Sequence, residues 1–177
     1  MRRASIAVTL AAVLGSAPAP GADRAQVSGQ TGTSEALAII VHRSNPVDGL
    51  TRGELRRIFL LETQTWPHGR KITVVLREKG QPERAEAIRL VCGMTEAEFD
   101  RYLLFQTFRG NAAWGPRSIQ TASAMQRFVF NAPGAIGDVD ASELDGSTKV
   151  LRIDGLLPSD PGYALRRPRS RTPNPEL

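Results

Sequence analysis

Between Asn45 and Arg77 the chain reads NPVDGLTRGELRRIFLLETQTWPHGRKITVVLR, and this stretch restricts the fold more than any other. An apolar run, Ala38 to Val41, leads into the turn signal Asn45-Pro46. Thr51 stands three residues before Glu54, the capping-box spacing in which each side chain satisfies an orphan amide of the other. The helix it opens is short and one-sided. Leu55, Ile58 and Phe59 fall at helical spacing, and Arg52, Arg56 and Arg57 are left for water. Trp66-Pro67-His68-Gly69 ends the unit, and Ile72 to Leu76 reads as a buried strand because its branched residues favour that geometry. Strand, turn, capped helix, loop and strand make one βαβ-type unit on which the later elements pack.

With 177 residues, 41% of them hydrophobic and 23% charged, the chain can bury the core of one globular domain. Its net charge of +5 sits mostly at the ends. Residues 1–22 and 156–177 each carry +2, which leaves the body at +1 and argues against a nucleic-acid partner. Arg2 and Arg3 before an apolar run from Ile6 to Leu14 have the layout of a secretory signal peptide, cleaved between Ala17 and Ala25. That run is too short to cross a bilayer, so residues 1–22 predict export to the periplasm without stable membrane insertion.

The remaining boundaries follow from composition and period. Residues 23–36 are rich in Gly, Ser, Thr and Gln, a flexible lead-in. The folded domain is expected over residues 37–155. Ala85, Ile88 and Val91 mark a helix from Gln81 to Val91, with Gly93 as its C-cap. Thr95 and Glu98 repeat the capping box before Phe99, Tyr102, Leu103 and Gln106, and that helix ends near Arg109-Gly110. Asn111 to Arg117 reads as a loop centred on Trp114-Gly115-Pro116. Ser118 or Thr121 caps a further helix, with Ala122, Met125, Phe128 and Val129 inward, stopped at Asn131 to Gly134. Ala135-Ile136-Gly137 starts a strand whose glycine lets a neighbouring backbone approach, and Val150 to Ile153 is the last strand. Five prolines and four arginines make residues 156–177 a disordered tail. The order β-α-β-α-α-α-β-β predicts an α/β fold, one compact lobe with a mixed sheet flanked by helices.

Catalytic chemistry has little to stand on. Cys92, the sole cysteine, ends an apolar helical face and reads as core. His42 and His68 lack partners at metal-ligand spacing, and no nucleophile elbow is present. The chain is therefore expected to be neither an enzyme nor a metal or cofactor protein. Anion binding remains. The strand ending in Arg77 enters a turn with Gly80 and then a helix start, which presents amides, Gln81 N among them, to a phosphate or carboxylate. Arg77 can add a forked pair, with Arg109 and Arg117 as a basic rim; the alternative is that these arginines are solvated surface.

These residues resemble a known family. Asn45-Pro46, Leu50-Thr51, Glu54-Leu55, Ile58-Phe59, Trp66, the strand ending Val75-Leu76-Arg77 and the turn Ala132-Pro133-Gly134-Ala135-Ile136-Gly137 are similar to the periplasmic phosphate-binding proteins of ABC transporters, and more so to their short single-domain members. The resemblance runs from Ala38 to Gly155. It implies a type II periplasmic-binding-protein fold, export, an oxyanion ligand such as phosphate, and a membrane permease as partner. The family's Arg-Ser-Asp-Gly-Ser-Gly-Thr anion loop corresponds here to Arg77-Glu78-Lys79-Gly80-Gln81-Pro82-Glu83. Pro82 removes an amide donor, and Glu83 brings negative charge to the helix start. A Glu83 turned away leaves oxyanion binding intact. A Glu83 turned in favours a ligand-free interaction module that docks a periplasmic protein through surface such as the Trp66 and Trp114 loops.

Overall fold

The computed structural model describes residues 36–109 and 115–167. Strand β1 (Leu37–Val41) is followed by a short β2 (Gly49–Leu50) and α1 (Arg52–Phe59). Then come β3 (Thr73–Arg77), α2 (Pro82–Cys92), α3 (Glu96–Phe108), β4 (Arg117–Ile119) and α4 (Ala122–Asn131). Strand β5 (Ala135–Asp140), a 3-10 turn (Ala141–Glu143), β6 (Lys149–Val150) and β7 (Arg152–Ile153) complete the order. One mixed sheet has the order β4-β3-β5-β1-β6, and β2 pairs with β7 beside it. Strands β4, β3 and β5 are parallel, while β1 runs antiparallel to both β5 and β6.

Alternation along the strands sorts the core into two faces. Leu37, Ile39 and Val41 of β1 join Val74, Leu76 and Ile136 beneath α1, α2 and the start of α3. Ala38 and Ile40 face the opposite way, with Val75, Ala135 and Val139, onto Met125 and Val129 of α4. The expected α/β architecture with helices on both faces is therefore present. Both capping boxes form, at Thr51 with Glu54 and at Thr95 with Glu98. Thr121, not Ser118, caps α4.

Several expectations need correction. The loop expected over Asn111–Arg117 gives way at its end to β4, a three-residue strand with no periodicity of its own that exists by pairing with β3 (Val75 opposite Arg117, Arg77 opposite Ile119). The single last strand is two, because the chain changes partner at the buried Leu151: Lys149–Val150 pairs with β1 and Arg152–Ile153 with β2. Gly137 admits a side chain rather than a backbone: a Cβ there would lie 2.8 Å from Met125 Sδ. Trp66 is no docking residue. It is 2% exposed and its indole Nε1 donates to the Gly134 carbonyl at 3.1 Å. Residues 156–167 of the expected tail pack on the domain. Tyr163 and Leu165 are buried, and Ala36 and Arg166 form an antiparallel bridge. A few large apolar side chains hold that segment despite its prolines. The expectations for residues 1–22, for most of 23–36, for Trp114 and for 168–177 lie outside the described residues.

Candidate anion site

Because β3, β4 and β5 are parallel, their carboxyl ends share one edge, the place where open α/β sheets take ligands. Arg77 ends β3 there. Glu78 N donates to Ile119 O at 3.1 Å, Gly80 turns the chain with φ +80, and Pro82 opens α2. The amides expected to grip an anion are engaged inside the turn. Gly80 N donates to Glu96 Oε1 at 3.4 Å, Gln81 N donates to Glu78 O at 3.2 Å, and Pro82 has no N–H to offer.

The turn is clamped by Arg84, which lies in the first turn of α2 and is 3% exposed. Its Nη1 donates to the Arg77 carbonyl at 3.0 Å, Nε lies 2.8 Å from Glu96 Oε1, and Nη2 reaches Asp100 Oδ1 at 3.5 Å. Lys79 closes the group on Asp100 Oδ2 at 2.7 Å. Arg84 carries no motif of its own in the sequence. The available signal was Glu96 and Asp100, four apart and thus on one face of α3.

Arg77 itself faces a small cavity shared with Glu83, Asp138, Asp140, Glu143 and Arg167. Arg77 Nε and Nη1 and Asp138 Oδ1 are buried there without a hydrogen-bond partner among the described residues. The free volume is about 10 Å³, room for about one water and not for a tetrahedral oxyanion. Asp138 is 1% exposed, and burial pushes its carboxyl up to about 7 against the opposing pull of the Arg77 and Arg84 guanidinia. Glu83 lines this cavity instead of turning away. Four carboxylates against two guanidinia give the cavity an acidic balance.

Arg117 lies elsewhere. As the first residue of β4 it sits opposite Val75, so the start of β3 is left without a strand on that side. There a groove of about 500 Å³ opens, bordered by Lys71, Thr73 and Arg117 and walled by Leu61, Val74 and Phe128. Among the described residues no carboxylate lines it. The Arg117 guanidinium lies 6.0 Å from the Phe128 ring centroid, within cation–π range. Lys71 is fixed by a bridge to Thr65 and by close approach of Gly134 to its carbonyl. Of the expected site residues, Arg77, Gly80 and Gln81 share the turn, whereas Arg117 belongs to the groove. Arg109 caps the end of α3, exposed, and lines neither.

Similarity to solved structures bears on the architecture. The chain matches an ABC-type phosphate transport receptor from Vibrio cholerae with TM-score 0.57 and 24% identity, over 70% of this chain and 48% of that one. It matches PstS from Borrelia burgdorferi with TM-score 0.61 and 16% identity, over 75% of this chain and 54% of that one. The chain has the fold of the phosphate receptors. A phosphate ABC transporter substrate-binding protein from Clostridium perfringens, solved with phosphate bound, matches at TM-score 0.55 and 24% identity over 68% of this chain and 46% of that one. The chain thus spans about half the length of the receptors it matches. No family model matches the sequence. Among the described residues no helix is long and apolar enough to cross a membrane, and no group of three His, Cys, Asp or Glu is placed to hold a metal ion.

Proposed function

We propose that this chain is an exported, non-catalytic solute-binding protein for an oxyanion, with phosphate the first candidate and ABC-type transport the setting. A single observation carries the reading: the groove at the start of β3 combines Lys71 and Arg117 with no carboxylate among the described residues that line it, and has room for a ligand. The receptor fold supports it, since the matched receptors are binding proteins. The Arg77 turn is the weaker location, because its amides are engaged and its cavity is acid-rimmed. Titration calorimetry with phosphate, on protein lacking residues 1–22, tests both places. Binding lost in Arg117→Ala and kept in Arg77→Ala locates the site in the groove, and the reverse returns it to the turn. Absence of heat with phosphate, sulfate and organic anions overturns the reading.

A second reading rests on α3. Leu104, Phe105 and Phe108 are 57%, 60% and 81% exposed near its end. Exposed large apolar side chains in a cluster favour a protein-interaction module. Loss of a co-purifying periplasmic protein on Phe108→Ser, with unchanged anion binding, would support it.

A further inference from the structure

We infer that the groove between Lys71 and Arg117 takes an organic oxyanion, a phosphate monoester or carboxylate with a ring-sized apolar body, in preference to bare phosphate. The inference rests on the anion-binding reading above and names its ligand class. The groove's volume of about 500 Å³ falls among sites that hold whole small molecules and far exceeds what a lone tetrahedral anion fills. Its lining is divided. Lys71 and Arg117 supply positive charge and Thr73 a hydroxyl, while Leu61, Val74 and Phe128 supply apolar wall. Charge complementarity selects the head group, since two cations face the space and no carboxylate is among the described residues that line it. Both cations are exposed, so attraction for a bare ion is screened by water and salt. Added grip must come from covering the wall. The half-buried Phe128 already carries the Arg117 guanidinium near its face, a flat pair on which a ring can lie. Leu61 reaches that wall from the end of α1, where it holds φ +60 in the helix-terminating turn in which Leu61 N donates to Ile58 O and Glu62 N to Arg57 O.

The test is calorimetry at physiological salt with inorganic phosphate, phenyl phosphate and benzoate, on the chain lacking residues 1–22. Phenyl phosphate is expected to bind about tenfold tighter than phosphate or better, the gain of covering one ring's apolar surface. That ratio should shrink in Phe128→Leu, which keeps an apolar side chain, and in Leu61→Asn, which tolerates the left-handed backbone. Arg117→Ala should weaken every ligand. Benzoate reports whether the head group must be phosphate. Equal affinity for phosphate and phenyl phosphate, both lost in Arg117→Ala, overturns this inference and leaves oxyanion binding standing. A preference unchanged in both wall variants also overturns it. No binding by any of the three overturns both.

Discussion

The phenol of Tyr163 donates to the main-chain carbonyl of Leu37 at 2.9 Å, tying the C-terminal segment to the first strand of the sheet. Leu37 N in turn donates to Leu165 O at 2.9 Å, so β1 is bracketed by residues more than a hundred positions later. The hydroxyl is buried, which holds its ionisation well above the usual phenol range. Tyr163→Phe is expected to cost about 1 kcal/mol, one net hydrogen bond, with the Leu37 carbonyl left unsatisfied. Tyr163→Ala adds a cavity and should cost about 3–5 kcal/mol. Urea unfolding measures both, and a near-zero effect of Tyr163→Ala would show that the segment does not belong to the core.

Arg84 should be the most sensitive charged residue of the described chain. It is buried, and its removal leaves Glu96 and Asp100 facing each other and the Arg77 carbonyl without its donor. Breaking such a buried ion group costs about 3 kcal/mol or more. Arg84→Met is therefore expected to lower the unfolding midpoint sharply, and Arg84→Met with Glu96→Gln should recover part of the loss. Equal stability of the single and double variants would deny the coupling.

Asp138 gives the fold a pH dependence of definite sign. Its carboxyl is pushed up to about 7 in the folded chain from an ordinary 3.8. The folded state therefore holds the proton more tightly than the unfolded state. The stabilisation is full below about 4 and is lost as pH rises through about 7. Asp138→Asn should remove this slope and leave the variant more stable than the parent at pH 8 by up to a few kcal/mol. Glu54 and Glu98, held below the usual range by their bonds to Thr51 and Thr95, act in the opposite direction. The difference between parent and variant therefore isolates Asp138. Parallel stability–pH curves would refute the assignment.

What could be read from the residues follows from how local each feature is. The two capping boxes, the apolar faces of α1 and α4 and the strand before Arg77 are local signals, and each forms as expected. Strand β4 was not legible, because Arg-Ser-Ile has no pattern and exists through its register with Val75 to Arg77. The order of residues 156–167 was equally hidden, since their composition suggests disorder while Tyr163 and Leu165 fill gaps made by distant elements. At the site, sequence could mark Arg77 and Arg117 as candidates but not separate them. Their separation comes from where β4 begins. Glu83 stands out in the sequence at the start of α2, yet its direction depends on a cavity built by β5 and the C-terminal segment.

Gly134 offers a stability test that also reaches the groove. Its carbonyl accepts from Thr73 N at 3.0 Å and from the Trp66 indole at 3.1 Å. A Cβ at this position would lie 2.2 Å from the Lys71 carbonyl oxygen, a backbone atom with no flexible end to yield. Gly134→Ala must therefore push the turn away from Lys71. The overpacking is expected to cost about 1–3 kcal/mol. Because Lys71 borders the groove, the same change should displace its ammonium and weaken anion binding even where the protein remains folded. Thermal unfolding and calorimetry on one preparation separate the two effects. Gly134→Ala with unaltered stability would show that the Lys71 backbone gives way without strain, and unaltered anion affinity in a destabilised variant would remove Lys71 from the site.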